Sequence, residues 1–274
     1  MNPGANRRGD PPASRYDRKI RLVIAYDGLA FHGWQRQSGL QTVQACLEEA
    51  VAGITGEPAT IYGSGRTDAG VHALGQVAHF VTSRAIPSGN LQKALNDVLP
   101  PQVRILSSEE APLGFHARYA ARSKLYRYRI LQAEVCLPFA WRYVWHYPLP
   151  LDRRRISAAA KSFLGEHDFT SFAASAGANS EPDSASAGSE SKSMVRRIIS
   201  SRVLWSERRK ILAYEVEGSG FLHHMVRNMV GTLVEVGRGA LQPGDIDRIL
   251  KARDRKAAGP TAPAQGLCLV RVIY

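Results

Sequence analysis

The chain has 274 residues, enough to bury a sizeable core as one large domain or two small ones. Lysine and arginine number 36 against 24 acidic residues, a formal net charge of +12, which favours a polyanionic partner, with nucleic acid first. From composition alone, the positive charge could also serve only to keep the protein soluble. The three cysteines lie far apart without a C-x-x-C pair, which disfavours a zinc ribbon or redox pair and suits a reducing cytosol. No apolar run reaches membrane-spanning length, and the N-terminus lacks the apolar segment of a signal peptide.

The segment 20–111 has the pattern of a ferredoxin-like unit, a β-α-β-β-α-β arrangement. Thr42 is the expected N-cap of its first helix and Ser88 that of the second, which Pro100-Pro101 stops. The predicted elements are strand 20–26, helix 42–54, strands 59–62 and 76–81, a helix from 88, and strand 103–106. Residues 1–19 precede them as a Pro-, Gly- and Arg-rich tail with almost nothing to bury, which predicts disorder.

The segment 112–274 repeats this order apart from one additional helix. Its predicted elements are strand 124–131, helix 152–164, strands 198–205 and 211–216, helices 221–236 and 245–252, and strand 267–273. Residues 173–193 contain no Leu, Ile, Val or aromatic residue, so this segment is predicted to be a flexible insertion. We therefore expect an α+β protein of two ferredoxin-like halves.

A glycine-rich stretch, Gly-Ser-Gly-Arg-Thr-Asp-Ala-Gly-Val-His at 63–72, joins two predicted strands. Glycines at this density let the backbone bend sharply with positive φ, so the loop can present Asp68 to a cleft, with Arg66 two positions earlier. The spacing fits neither the dinucleotide fingerprint nor the P-loop, which requires Lys-Ser/Thr where Val71-His72 stands. On spacing alone, an ordinary turn containing an Asp is as good an interpretation as a functional loop.

This stretch resembles the active-site signature of the tRNA pseudouridine synthase A family, and further motifs of that family follow in the family's order. They are Tyr-Asp-Gly at 26–28, Phe-His-Gly-Trp-Gln-Arg-Gln at 31–37, Phe-His-Ala-Arg at 115–118, Tyr-Arg-Tyr at 126–128, Gly-Glu-His-Asp-Phe-Thr-Ser-Phe at 165–172 and Phe-Leu-His-His-Met-Val-Arg-Asn-Met-Val-Gly at 221–231. The resemblance implies halves related by a pseudo-twofold, a central largely antiparallel sheet with helices packed on it, and a catalytic cleft between the halves. The insertion departs from the family's usual length beside the rim of that cleft, which leaves the rim's geometry open.

The activity that the resemblance implies is isomerisation of uridine to pseudouridine in tRNA, which breaks the N-glycosidic bond, turns the uracil and rejoins it through carbon. The family's essential aspartate corresponds to Asp68. A carboxylate suits three routes, namely attack on C6 of the base, attack on C1′ of the sugar, and assistance of 2′-deprotonation towards a glycal. The sequence does not choose among them. Because the reaction has no net redox change, we expect no cofactor.

Two further residues are expected at the site. Arg66 is predicted to pair with Asp68 and keep it ionised, and also to contact phosphate or occupy the space left by a flipped nucleotide. Tyr126 matches the family's tyrosine that stacks on the target base. Its alternation with Tyr128 and Ile130 would by itself place Tyr126 in the core.

The histidines and tryptophans of these motifs are assigned structural or RNA-contacting roles. His223 and His224, as neighbours on the predicted helix, would point about 100° apart, which disfavours a metal site and suits packing or RNA contact on the face shared with Arg227. His72 and His79 are expected to be hydrogen-bonded structural groups. For Trp34 we favour packing against the glycine loop, and for Arg36 contact with RNA.

The resemblance also implies the partners: the anticodon arm of tRNA, modified at positions 38, 39 and 40, and a second copy of the chain in a cytoplasmic homodimer. The alternative is a non-catalytic RNA-binding protein on the same scaffold. Such a protein has no need of a carboxylate in a glycine loop, since Asp68 would repel phosphate, and the RNP1 pattern is absent. A nucleotide-dependent enzyme is a more distant option, disfavoured by the unmatched phosphate-binding motifs.

Overall fold

The computed structural model describes residues 17–174 and 193–274. The strands are β1 Arg18–Tyr26, β2 Tyr62–Gly63, β3 His72–Thr82, β4 Val103–Ala111, β5 Ser123–Leu131, β6 Trp145–His146, β7 Gly165–Asp168, β8 Val195–Ser206, β9 Ile211–Gly218 and β10 Leu267–Ile273. The α-helices are α1 Val43–Thr55, α2 Ser88–Val98, α3 Arg153–Lys161, α4 Met225–Gly237 and α5 Asp245–Ala252. Within these residues, no helix combines the length and apolar character needed to cross a membrane.

All the strands belong to one sheet with the order β4-β1-β3-β10-β5-β9-β8-β7, to which β2 adds beside β3 and β6 beside β5. The β3–β10 and β5–β6 pairs are parallel and the remaining pairs are antiparallel. The structure therefore confirms an α+β fold on a largely antiparallel sheet.

The strand order of the first half is repeated in the second. In β4-β1-β3-β2 and in β10-β5-β9-β8, the last strand of the half lies beside its first, and the third strand lies between the first and the second. The parallel contact of β3 with β10 joins the two halves. The pseudo-twofold and the boundary after residue 111 stay predictions.

The core lies where helices cover one face of the sheet. Alternate residues of β1, namely Ile20, Leu22 and Ile24, are fully buried, and helices α1 and α2 contribute Leu47 and Leu91 to the same cluster. In the second half, buried residues of β5 and β9 join buried residues of α3 and α4 in that cluster. Each large apolar side chain buried in this way stabilises the fold by about 1.5–3 kcal/mol.

Several predicted boundaries were wrong. Strand β1 begins at Arg18, whose side chain binds Glu110 at 2.9 Å, so Arg18 and Lys19 do not belong to a disordered tail. The strand predicted over 59–62 is reduced to Tyr62–Gly63, and α4 begins at Met225 instead of at 221. Thr42 caps α1 as predicted, whereas Ser88 is the first residue of α2 and does not cap it. Residues 1–16 and 175–192, which hold most of the predicted tail and insertion, lie outside the described residues.

Gly231 allows α4 to approach the segment that precedes β10. A Cβ at this position would lie 1.6 Å from the carbonyl oxygen of Pro260, a backbone atom that cannot swing aside. We expect Gly231→Ala to lower the free energy of unfolding by about 3 kcal/mol, as measured by urea unfolding. Gly89→Ala in α2 is the matched control, because a Cβ there meets nothing within 4 Å. Equal stability of the two variants would contradict this account of the helix contact.

Candidate active site

The loop that carries Asp68 rests on the segment that follows β1. Thr67 shares a hydrogen bond of 2.8 Å between its Oγ1 and the hydroxyl of Tyr26, and its carbonyl accepts from the backbone N–H of Trp34 at 3.0 Å. The N–H of Gly70 donates to the carbonyl of Gly28 at 3.2 Å. The motifs at 26–28 and 31–37 therefore support the signature loop through hydrogen bonds.

The glycines of the loop serve two different purposes. Gly70 adopts φ +80°, as predicted for a sharp bend. Gly63 and Gly65 are not in the positive-φ region. A Cβ on Gly63 would lie 2.6 Å from the ring of Trp34, and one on Gly65 would lie 2.6 Å from Nζ of Lys124. Close approach of the Trp34 ring therefore requires glycine at position 63, whereas Nζ of Lys124 is the end of a flexible side chain that can move away from a Cβ at position 65. The contact with Gly63 confirms that Trp34, which is buried, packs against the loop.

Lys124 and Gln76 hold the loop from the neighbouring strands. Nζ of Lys124 donates to the carbonyl of Ser64 at 2.6 Å, while Nε2 of Gln76 donates to the carbonyl of Gly65 at 2.9 Å. Burial lowers the pKa of Lys124 to about 8, and the nearby charge of Arg118 adds to this effect. The backbone on the N-terminal side of Asp68 is therefore fixed by groups of both halves.

Three basic side chains of the second half converge on the carboxylate of Asp68. Arg227 donates from Nη1 to Oδ2 at 3.0 Å. Nε2 of His223 lies 3.4 Å from Oδ1, and Nε2 of His224 lies 3.4 Å from Oδ2. Asp68 lies on the loop before β3 and these partners lie at or just before the start of α4, so residues distant in the chain meet at the carboxylate.

These contacts keep Asp68 charged. Burial acts to raise its pKa, but the hydrogen bond with His223, the charge of His224 and the hydrogen bond from Arg227 outweigh it and hold the pKa below the usual value. The hydrogen bond with Asp68 raises the pKa of His223, whereas burial lowers that of His224. At neutral pH the site therefore offers an ionised carboxylate, which is a nucleophile or a base.

Helix α4 positions Arg227. Its Nε donates to the carbonyl of Ala262 at 2.8 Å, so the guanidinium is held on one side while Nη1 reaches Asp68 on the other. The next residue, Asn228, is fully buried and donates from Nδ2 to the carbonyl of Phe172 at 2.7 Å. Sequence reasoning placed Arg227 on an RNA-contacting or packing face and missed its contact with Asp68.

His223 and His224 precede the helix, contrary to the prediction. His224 has φ +60° and is the N-cap residue of α4, a left-handed conformation that costs a non-glycine residue about 1–3 kcal/mol. The two rings lie side by side with centroids 3.9 Å apart, and both face Asp68. The helical geometry that disfavoured a metal site therefore does not apply. One potential ligand atom each from Asp68, His223 and His224 lie within 4.8 Å of one another.

Tyr126 lies on β5, where the charge of Asp68 acts on its hydroxyl. Its side chain is 7% exposed and packs edge-to-face against Phe221 with ring centroids 5.0 Å apart. Burial, and then the nearby Tyr26 and the charge of Asp68, raise the pKa of Tyr126 above its usual value. The core position indicated by alternation is thus confirmed, and the same residue borders the site.

Arg66 is exposed, and its Nε donates to Oε1 of Gln35 at 3.0 Å. Its pairing with Asp68 and its contact with RNA stay predictions, while the guanidinium that does bind Asp68 belongs to Arg227. Arg36 pairs with Glu48 at 2.7 Å, and its contact with RNA also stays a prediction.

The two histidines next to the signature are hydrogen-bonded, as predicted. Nδ1 of His72 accepts from the N–H of Gly28, and its Nε2 lies 2.9 Å from the carbonyl oxygen of Arg142. Nδ1 of His79 accepts from the N–H of Ala117. Both are structural groups of β3.

The fold and the site together define an α+β protein in which basic side chains at the start of α4 hold one ionised carboxylate on the loop before β3. The profile of the family described as tRNA pseudouridine synthase matches residues 22–120 and 159–274, and the chain belongs to that family. A protein of Solibacter usitatus named tRNA pseudouridine synthase A is 51% identical over 94% of this chain and 100% of its own length. Proteins of the same name from Acetivibrio thermocellus and Limosilactobacillus fermentum are 43% and 44% identical, covering 94% and 93% of this chain and 100% and 96% of their own lengths.

Proposed function

We propose that this protein isomerises uridine to pseudouridine in tRNA and that Asp68 is its catalytic carboxylate. The observation that carries the proposal is the ionised Asp68, held by Arg227 and flanked by two histidines, in a chain of the tRNA pseudouridine synthase family. Isomerisation needs one charged carboxylate beside the glycosidic bond and no net oxidant or reductant. Attack on C6, attack on C1′ and 2′-deprotonation each begin from this ionised form of Asp68.

The surroundings of Asp68 suit a flipped nucleotide. We propose that the ring of Tyr126 stacks on the extruded base, which replaces part of the stacking energy of a few kcal/mol that extrusion costs. Arg66, exposed on the same loop, is proposed to contact the backbone or occupy the vacated space in the RNA. The surplus of 12 positive charges supports binding of a polyanion.

We also propose the modified positions of the tRNA, the cellular compartment and the oligomeric state. We place the modified uridines at positions 38, 39 and 40 of the anticodon arm and the enzyme in the cytoplasm. We also propose a homodimer, which light scattering tests against the chain mass of 30.0 kDa. Apolar side chains exposed in one short segment support a second copy of the chain. They are Val135, Leu137, Phe139 and Trp141, with Phe139 at 91% exposure.

The side chain of Tyr126 is 7% exposed and its hydroxyl feels the charge of Asp68, and we propose that this hydroxyl transfers a proton in the final step of the reaction. We expect Tyr126→Phe to lower kcat by about 10²–10⁴-fold through loss of proton transfer in the final step. Affinity for tRNA should stay within a few-fold, because the ring remains. Single-turnover kinetics and filter binding measure the two effects separately. A kcat close to that of wild type would limit Tyr126 to stacking.

The proposed function is tested by pseudouridine mapping on unmodified tRNA after incubation with the purified protein and no added cofactor. Product at positions 38, 39 or 40 supports the reaction, the substrate and the site of modification together. Product elsewhere in the tRNA retains the reaction and overturns the anticodon-arm assignment. Salt-sensitive binding of tRNA without product would instead indicate a non-catalytic RNA-binding protein, since binding through several Lys and Arg contacts with phosphate weakens steeply as salt rises.

A further inference from the structure

The side chains of Asp68, His223 and His224 form a cluster of possible metal ligands. The two measured separations, from Oδ1 to Nε2 of His223 and from Oδ2 to Nε2 of His224, are both 3.4 Å. Zinc bonds to nitrogen and oxygen are about 2.0–2.1 Å long, which in a tetrahedral site places neighbouring ligand atoms about 3.3–3.4 Å apart. Each imidazole nitrogen thus lies about one ligand spacing from a different oxygen of Asp68. One ligand atom from each of the three residues lies within 4.8 Å of the other two, so a modest closing of the side chains would bring them around one ion.

The donor set agrees with this spacing. Two imidazole nitrogens and one carboxylate oxygen, with the fourth position open to water, are the ligands of one common type of zinc site. Nitrogen donors favour zinc and similar transition metals over magnesium, which prefers oxygen ligands. We propose that the cluster of Asp68, His223 and His224 binds a zinc ion, which engages the carboxylate of Asp68 and thereby inhibits the enzyme reversibly.

An ion can reach the cluster from solvent. The side chain of His223 is 65% exposed, that of His224 is 30% exposed and that of Asp68 is 22% exposed. A uridine must approach the same carboxylate, so metal and substrate compete for it. The inhibitory half of the inference therefore depends on the proposed function, whereas the binding half does not.

Two features make the site weaker than a structural zinc site. Nη1 of Arg227 lies 3.0 Å from Oδ2 of Asp68, and its positive charge opposes a second cation. Within the described ranges, no hydrogen bond holds the Nδ1 atom of His223 or His224, whereas zinc-binding histidines usually have such a partner. The bound zinc should consequently exchange, and a chelator should remove it.

Calorimetric titration of the chelator-treated, full-length protein with zinc, without tRNA, tests the binding half. We expect about one ion per chain in the wild type and loss of that site in the double variant His223→Gln/His224→Gln. His167→Gln is the matched control, because His167 lies on the edge strand β7 and should leave binding unchanged. The double variant keeps the three cysteines, so unchanged binding by that variant would assign the zinc to thiols and overturn the proposal.

The inhibitory half is tested by pseudouridine formation with and without zinc, expressed as the fraction of each variant's own activity. Wild type and His167→Gln should lose at least tenfold in rate and recover it with EDTA, while the residual activity of the double variant should be insensitive. Magnesium at the same concentration should not inhibit. Zinc binding without inhibition, or equal inhibition of the double variant, would overturn the proposed competition. Failure of the proposed function itself would show differently, as absence of product in the zinc-free wild type.

Discussion

Asp68→Asn is expected to abolish pseudouridine formation, with a loss of at least about a thousandfold in kcat. Asparagine has the shape of aspartate but carries neither the negative charge nor a nucleophilic oxygen. The side chain can still accept the hydrogen bond from Nη1 of Arg227, so the geometry of the junction should persist. Single-turnover assays on one tRNA, with mapping of the product, measure the effect.

Two controls separate chemistry from folding in this variant. Affinity for tRNA should remain within a few-fold of wild type, because most of the binding energy comes from contacts with phosphate. Unfolding stability should fall by about 1–3 kcal/mol, since the largely buried guanidinium of Arg227 loses its anionic partner. Product at a rate comparable to wild type would show that Asp68 is not the catalytic carboxylate.

The sequence was most informative where local pattern and structure coincide. The position of Asp68 in a glycine loop, the helices and most of the strands could all be predicted, because apolar periodicity and turn residues are local signals. The side-chain contacts made by two glycines of this loop could not be predicted. The ring of Trp34 requires glycine at position 63, and Lys124 lies against Gly65. Both side chains are distant in the chain, and no local pattern reports a long-range approach of side chains.

The partners of Asp68 were missed for a related reason. The apolar stripe of α4 continues back to Leu222, so periodicity alone extends the helix over His223 and His224. The left-handed residue that ends this continuation is a histidine, and only glycine or asparagine would have signalled such a conformation in the sequence. Without that bend, neither ring would have been predicted to face Asp68.

The contact of Arg227 with Asp68 also could not be predicted from the sequence. Arg227 and the buried Asn228 are neighbours on α4, and the sequence does not tell which of the two side chains contacts Asp68. The assignment depends on the register between α4 and the signature loop, 159 residues apart from Asp68 to Arg227. Contacts of this range are set by the packing of the two halves.

Arg227→Met should lower kcat/KM by about 10²–10³-fold at neutral pH. Removing one partner of a largely buried ion pair costs about 3–5 kcal/mol, and part of this cost destabilises the ionised form of Asp68. The pH profile should change in a defined direction. The hydrogen bond from Arg227 helps to hold the pKa of Asp68 low, so its loss should raise that pKa and move the acidic limb of the profile to higher pH.

Lysine and a distant arginine provide the comparisons for this variant. Arg227→Lys keeps the charge but cannot bind Asp68 and the carbonyl of Ala262 with one compact ammonium group, so partial recovery of rate is expected. Arg248→Met on α5, where the arginine is 63% exposed and paired with Asp245, should leave the pH profile unchanged. If Arg227→Met lowers the rate without moving the acidic limb, the guanidinium acts on the substrate or on the fold, and the two histidines alone suffice to keep Asp68 ionised.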